Sequence, residues 1–338
     1  MKLITYVADA QAGRDEGRAG VFAGERVIDL AELWQWGTRN DIPVPDVQSP
    51  PVTMLDLLRL GTDGMQGTAT ALRALLSGGD IELRAESDLL LAQGTYTIRT
   101  PIPAPPTIRD FYVFEQHVRA ARARRNADMI PEWYEFPVFY FSNTSALYGT
   151  DERIPYPRMS KELDFELEMA AVIGREGSDI PAEEASSYIA GYMVMNDWSA
   201  RDLQRQEMKL NLGPAKGKDF ATSLGPWLVT PDELDDRRIG SGQDERFDLA
   251  MTGSINGDQL TSANAKEMYF TFPQMIERAS QHVRLRPGDI IGSGTCGTGC
   301  ILELGTERHR WLQPGDQIEM SIERLGTLRN TISESEVR

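Results

Sequence analysis

Eight consecutive residues, Glu162-Leu163-Asp164-Phe165-Glu166-Leu167-Glu168-Met169, alternate acidic and apolar side chains. A period of two is the mark of a β-strand with unlike faces. Leu163, Phe165, Leu167 and Met169 then take one face, and Asp164, Glu166 and Glu168 the other. Glu166 and Glu168 fall roughly 7 Å apart along that face. Carboxylates held that close in partial burial repel, and one tends to keep its proton. A divalent cation relieves the repulsion and prefers oxygen ligands. An isolated Glu-x-Glu is ordinarily a solvated strand face, so the rest of the chain must decide.

A chain of 338 residues has room for one large domain or two, each with a sizeable core. Its 41% hydrophobic and 25% charged residues are ordinary for a soluble globular protein. The formal net charge of −16 argues against nucleic acid as a partner, because that affinity rests on Lys and Arg. It argues equally against an anionic membrane surface. A small anionic substrate responds to local charge and stays open. The first nine residues, Met1 to Asp9, read as a strand without the apolar stretch and cleavage site of a signal peptide. No apolar run approaches transmembrane length, and the expected location is the cytoplasm. Cys296 and Cys300 give no disulfide framework, and their Cys-Gly-Thr-Gly-Cys spacing is not the redox Cys-x-x-Cys pattern. With only His117, His282 and His309, a His-rich metal site is disfavoured and a carboxylate site for a hard ion is easier to build.

The Pro-rich stretch Thr100-Pro-Ile-Pro-Ala-Pro-Pro-Thr107 is a stiff connector. It divides residues 1–105, a small N-terminal β domain with linker, from residues 106–338. The first part predicts strands near residues 3–7, 20–28 and 95–100, and helices near 52–60 and 67–76. The second part is mostly strand, with helices near 114–126, 182–189, 200–209 and 273–283. Ser199-x-x-Asp202 suggests a weak capping box at one of these. Leu285-Arg-Pro-Gly-Asp289 and Leu312-Gln-Pro-Gly-Asp316 read as two copies of one turn leading into a strand.

Chemistry gathers in four places. Asp110-Phe-Tyr112-x-x-Glu115-x-His117 runs from an extended segment into an Arg-bearing helix. The acidic strand is the second. In Gly191-Tyr-Met-Val-Met-Asn-Asp197 an apolar strand ends at an acid, where a rigid element can present a side chain to a ligand. Gly213-Pro-Ala-Lys-Gly-Lys218-Asp-Phe220 sets a Lys among small residues without the spacing of a phosphate-binding loop.

Glu166-Leu-Glu168, Asn196-Asp197-Trp-Ser-Ala-Arg-Asp-Leu-Gln204, Gly217-Lys218-Asp-Phe220, Gly225-Pro-Trp227 and Gly292-Ser-Gly-Thr295 occur in that order. Together they resemble the fumarylacetoacetate hydrolase family over most of residues 107–330. The resemblance implies a mainly β, α+β fold, a fumarylacetoacetase-type mixed β-sandwich roll with a small N-terminal SH3-like β domain, and a homodimer. It implies Asp110, Glu166, Glu168 and Asp197 as ligands of Mg²⁺, with Mn²⁺ or Ca²⁺ as alternatives. It implies His117 as general base, Glu303 as the acid orienting it, and Lys218 as a stabiliser of oxyanion or enolate charge. Tyr112, Tyr140, Gln204 and Thr295 match substrate-contacting positions, and Arg125 is assigned with them as a candidate. Met208 stands where the family has a tyrosine, and Arg124 or Arg125 is the nearest candidate for an arginine expected after His117. These departures bear on substrate choice.

The implied activity is hydrolysis of a carbon–carbon bond in a small β-diketo acid, of the kind met in aromatic catabolism. Such a substrate can offer two oxygens to a carboxylate-held ion. A 2-oxo acid decarboxylase, isomerase or hydratase would use the same scaffold. A non-catalytic β protein binding a structural Ca²⁺ is the remaining alternative, but needs neither His117 nor Lys218.

Overall fold

The computed structural model describes residues 1–8, 17–23, 26–77, 89–91, 94–124 and 126–335. Among them a long mixed sheet of 12 strands runs through the molecule. Its centre is Thr222–Val229, Ile189–Asp197, Leu167–Ile173, Ile290–Gly292, Ile108–Phe111 and Phe139–Ser142, in that order. The N-terminal strand Lys2–Ala8 joins its edge, with Lys2 and Leu3 opposite Val229 and Leu228. The remainder of that strand pairs with Tyr96–Arg99. The single strand expected over residues 20–28 is instead a pair, Arg18–Ala23 and Arg26–Asp29, aligned antiparallel.

A second sheet of five strands includes Ala250–Ile255, Gln317–Ile322 and Gly326–Ser333. It covers one face of the long sheet: Leu167, Met169, Tyr192 and Val194 share a core with Met251, Ile318 and Met320. The opposite face is covered by N-terminal helices, where Ala170, Val172, Met193 and Met195 meet Leu33, Trp34, Leu57 and Leu72. The central strands are therefore apolar on both faces, as strands between two layers must be.

The helices Met54–Arg59 and Gly61–Ser77 lie near the two expected, but Leu30–Arg39 was not anticipated. Asp29 caps it, its Oδ1 accepting from Glu32 N at 3.0 Å. In the second region Glu115–Ala123, Ala182–Ala185, Arg201–Met208 and Phe272–Ser280 fall inside or beside the expected spans. The Ser199/Asp202 capping box does not form. Ala200 is the N-cap, without a side-chain bond, and Asp202 accepts instead from Ser160 Oγ and Lys161 N. Both Pro-Gly-Asp turns do form. Gly288 and Gly315 take φ of 91° and 95°, and each turn opens a strand.

The acidic stretch differs from one continuous strand. It is Leu163–Asp164, then a break, then Leu167–Ile173. At the break side chains take over the ladder: Phe165 N donates to Asp164 Oδ1 and Glu166 N donates to Asn196 Oδ1, each at 2.9 Å. The alternation survives, with Leu163, Phe165, Leu167 and Met169 in one core. The acidic side is not solvated: Asp164, Glu166 and Glu168 are 0%, 5% and 0% exposed. Among the described residues no helix is long and apolar enough to cross a membrane.

Candidate active site

Strand register assembles the acids. Gly292 pairs with Ala170 on one side and with Asp110 on the other. Leu167 pairs with Asn196, bringing Glu168 beside the end of the strand that carries Asp197. Carboxylate oxygens of Asp110, Glu168 and Asp197 lie within 4.8 Å of one another, and all three residues are buried. Gly292 must stay small, because a Cβ there would meet Asp110 Oδ1 at 2.6 Å. The Gly292-Ser-Gly-Thr295 turn wraps Glu168, whose Oε2 accepts from Gly294 N at 3.1 Å and whose Oε1 faces Thr295 Oγ1 at 3.4 Å. Tyr140 donates its hydroxyl to Asp197 Oδ2 at 2.7 Å.

Glu166 stands apart from this trio. Arg201 donates to its Oε1 at 2.7 Å, and Lys218 to its Oε2. Lys218 also pairs with Asp197, so a single buried ammonium bridges two acids. Its loop is fixed by Glu207, whose carboxylate accepts from the amides of Ala215, Lys216 and Gly217. A Cβ at Gly217 would meet Gln204 N at 2.7 Å, so the loop must be glycine there. Gln204 itself accepts from Arg201 at 3.1 Å.

The protonation pattern follows from these partners. Burial, then the charge of Asp197, pushes the Asp110 carboxyl well above the usual range, and burial with Asp110 does the same to Glu168. Burial also raises Asp197, with Lys218 opposing. Burial acts on Glu166 in the same sense, but Arg201 and Lys218 outweigh it and hold that carboxyl below its ordinary value. Lys218 is depressed by burial and raised more by Asp197 and Glu166, so it stays an ammonium. Lys218 therefore compensates Glu166 and Asp197, while Asp110 and Glu168 have no cation paired to them and tend to keep a proton until one arrives.

The residues present suit a hard divalent ion. Asp110 Oδ1 and Asp197 Oδ1 are buried without any hydrogen-bond partner. Orphaned carboxylate oxygens are expensive in a protein interior and are what a cation satisfies.

His117 lies in the first turns of Glu115–Ala123 and is 4% exposed. Its Nδ1 is 3.1 Å from Glu303 Oε2, across 186 residues of sequence. A carboxylate accepts, so Nδ1 carries the hydrogen and Nε2 keeps its lone pair. The Tyr112 ring meets the imidazole edge-on at 5.7 Å between centroids. His117 also acts electrostatically on Glu166, which ties the imidazole to the acid cluster. Glu115 is engaged by Arg119 and Tyr134 and does not join the carboxylate trio. Met208 is 41% exposed at the end of its helix. Arg125 lies outside the described residues.

Sequence reasoning missed three supporting residues. Asp164 caps Ile301–Leu304, accepting from Ile301 N at 2.8 Å and Leu302 N at 3.0 Å, and so sets the helix that carries Glu303. Arg201 clamps Asp164 and Glu166 together. Glu207 anchors the Lys218 loop. The signal for the first two was present: Asp164 belongs to the acidic stretch, and Arg201 follows Asp197 by four residues.

Known proteins share this arrangement of segments. The model of the fumarylacetoacetate hydrolase C-terminal region matches residues 107–333. Fumarylacetoacetase of Rattus norvegicus is 31% identical over 336 residues, covering 86% of this chain and 80% of its own. A probable 2-hydroxyhepta-2,4-diene-1,7-dioate isomerase from Mycobacterium abscessus superposes with a TM-score of 0.66 at 25% identity, covering 100% of both chains. The maleylpyruvate hydrolase from Sphingobium sp. SYK-6, solved with manganese(II) and pyruvate, superposes with a TM-score of 0.67 at 22% identity, covering 99% of this chain and 100% of its own. With a family match over two thirds of its length, the chain belongs to the fumarylacetoacetate hydrolase family.

Proposed function

We propose that this protein is a divalent-metal-dependent hydrolase that cleaves a carbon–carbon bond in a β-diketo acid of the fumarylacetoacetate or acylpyruvate type. One observation carries the reading: an imidazole fixed by a carboxylate at Nδ1 acts on Glu166, which Lys218 ties to a buried acid cluster with two orphaned oxygens. Asp110, Glu168 and Asp197 would hold the ion, with Glu166 alongside. When bound, Mg²⁺, or Mn²⁺ or Ca²⁺ in its place, supplies polarisation of a carbonyl oxygen and stabilisation of enolate charge. The manganese and pyruvate of the maleylpyruvate hydrolase support an oxo acid at such a centre.

His117 takes a proton from water through Nε2 as the water attacks a carbonyl carbon. Glu303 holds the ring in the required tautomer and steadies the imidazolium that results. Lys218 offers a fixed positive charge in a dry site, where it counts for more than in water. Tyr140 and Thr295 touch the acids, Tyr112 meets the His117 ring and Gln204 bonds Arg201, and all four would contact substrate, with Arg125 the candidate for its carboxylate. The bond between the attacked carbon and its neighbour breaks, and the departing enolate carbon takes up a proton, for a net gain of one water. A homodimer belongs to the same proposal and is read by sedimentation.

Replacing His117 by Ala and assaying a 1,3-diketo acid with Mg²⁺ tests the roles. Turnover should fall about 10²- to 10⁴-fold, and undiminished turnover removes His117 from the chemistry. The isomerase neighbour gives a second reading, because isomerisation also passes through enolate charge. The His117–Glu303 pair favours hydrolysis, since isomerisation needs no attacking water. Product masses separate the two: hydrolysis adds one water and isomerisation adds nothing.

A further inference from the structure

Cys300 sits within reach of the base without a part in the proposed reaction. Its Sγ is 3.9 Å from His117 Nδ1, the nitrogen that also faces Glu303 Oε2 at 3.1 Å. The thiol, imidazole and carboxylate ligand atoms all lie within 4.8 Å of one another. A tetrahedral zinc ion, with bonds of about 2.0–2.3 Å, spaces its ligand atoms about 3.3–3.8 Å apart. Small side-chain movements would close the difference. We infer that Cys300, His117 and Glu303 form a second metal site, for a thiophilic divalent ion such as Zn²⁺, and that filling it switches the base off.

Three further observations support the inference. The donor set is sulfur, nitrogen and one oxygen, a set that selects zinc-like ions over Mg²⁺, whereas the neighbouring trio offers oxygen alone. Cys300 is also a free, buried thiol, held in place by backbone rather than by chance packing. Leu167 N donates to Gly299 O and Cys296 N to Leu167 O, both at 3.0 Å, so the Gly-rich turn is clamped to the central strand. The helix that follows Cys300 is capped by Asp164, which fixes Glu303 on the other side. Finally, burial first, and then the carboxylates of Asp164, Glu166 and Glu303 against Arg201, hold the Cys300 thiol well above its ordinary value, so that it gives up its proton to a bound dication and not to bulk water.

The exchange balances. Zn²⁺ replaces the thiol proton of Cys300, which leaves to solvent. Zn²⁺ also takes the Nδ1 lone pair, so the ring hydrogen moves to Nε2. Nε2 then donates rather than accepts and cannot take a proton from water. The metal site stands on geometry alone, whereas the switch rests on His117 being the base.

The test uses the full chain with Mg²⁺ in excess. Co²⁺ is added as a spectroscopic probe and Zn²⁺ as its competitor. A near-ultraviolet thiolate-to-cobalt absorption band should appear, vanish on adding Zn²⁺, persist in Cys296→Ser and be absent in Cys300→Ser. Turnover of a 1,3-diketo acid should fall with Zn²⁺ and return on chelation. The half-inhibiting Zn²⁺ concentration, each variant measured against its own zinc-free rate, should rise at least tenfold in Cys300→Ser. Cys300→Ala serves if the serine variant folds poorly, which circular dichroism reports. Absence of a Cys300-dependent band overturns the site, whatever His117→Ala does to turnover. A Cys300-dependent band with turnover untouched by Zn²⁺ overturns the switch, and with it the assignment of His117 as base. Equal inhibition of the wild type and both Cys300 variants places the inhibitory zinc elsewhere and overturns the switch.

Discussion

Two buried acid sites in this molecule are neutralised in opposite ways. In the N-terminal region Asp29 is 4% exposed. Arg18 forks onto it at 2.7 and 2.8 Å, Tyr6 donates to it at 2.5 Å, and Glu32 N donates at 3.0 Å. Both carboxylate oxygens are used. Burial would raise this acid, but Arg18 and Tyr6 outweigh it and hold it below its ordinary value. In residues 106–338 Asp110, Glu168 and Asp197 converge with one ammonium, and two oxygens are left without a donor. Burial and mutual repulsion there push Asp110 and Glu168 up. The first site is complete within the chain. The second becomes complete only when something positive arrives, which is how a binding site differs from a structural one.

The comparison is open to test, beginning with the largest effect. Asp29→Asn leaves the Arg18 guanidinium, one-third exposed, without its counter-charge and Tyr6 without its charged acceptor, and should lower the unfolding free energy by about 1.5–3 kcal/mol in urea titration. A loss below about 0.5 kcal/mol would break the claim that Asp29 is a completed structural pair. Next comes the ion. Mg²⁺ at about 100 times its dissociation constant should stabilise the wild type by about 2.7 kcal/mol against chelated protein, read as a shift in melting temperature. Asp29→Asn should keep that increment and Glu168→Gln should lose it.

In chelator, Glu168→Gln should cost less than about 0.5 kcal/mol, or stabilise, because it removes one of several repelling acids. The pH dependence is the smallest effect and separates the sites by sign. Asp29 is depressed, so its contribution is present above its unfolded value near 3.8 and is lost as pH falls through the folded one. Asp110 and Glu168 are raised, so their contribution is full below their unfolded values and is lost as pH climbs through the folded ones. Urea unfolding in chelator from pH 3 to 8 should therefore show a shallower alkaline-side decline in Glu168→Gln, where Asp110 is still raised, and a shallower acid-side decline in Asp29→Asn, where Glu166 is still depressed.

Much of residues 106–338 was legible because it is written locally. Alternation in residues 162–169 reported a strand with two unlike faces, and the Pro-Gly-Asp turns reported the strands they open. The N-terminal region was less legible. Its helix Leu30–Arg39 follows directly on a strand, and only its Asp29 cap announces it. The break after Asp164 was invisible for a different reason. It depends on Asn196, a residue 30 positions away, substituting for a ladder partner.

The sequence by itself determined the kinds of donor and the elements that carry them, because backbone periodicity and turn chemistry act between near neighbours. It also determined the family, through motifs kept in order. Only the tertiary structure decided which acids are compensated. It diverted Glu166 to Arg201 and Lys218, left Asp110 and Asp197 each with an unpartnered oxygen, and set Cys300 beside His117 across 183 residues. The reason is that charge compensation in a low-dielectric interior depends on separation in space, and that separation is fixed only once sheets and helices have packed.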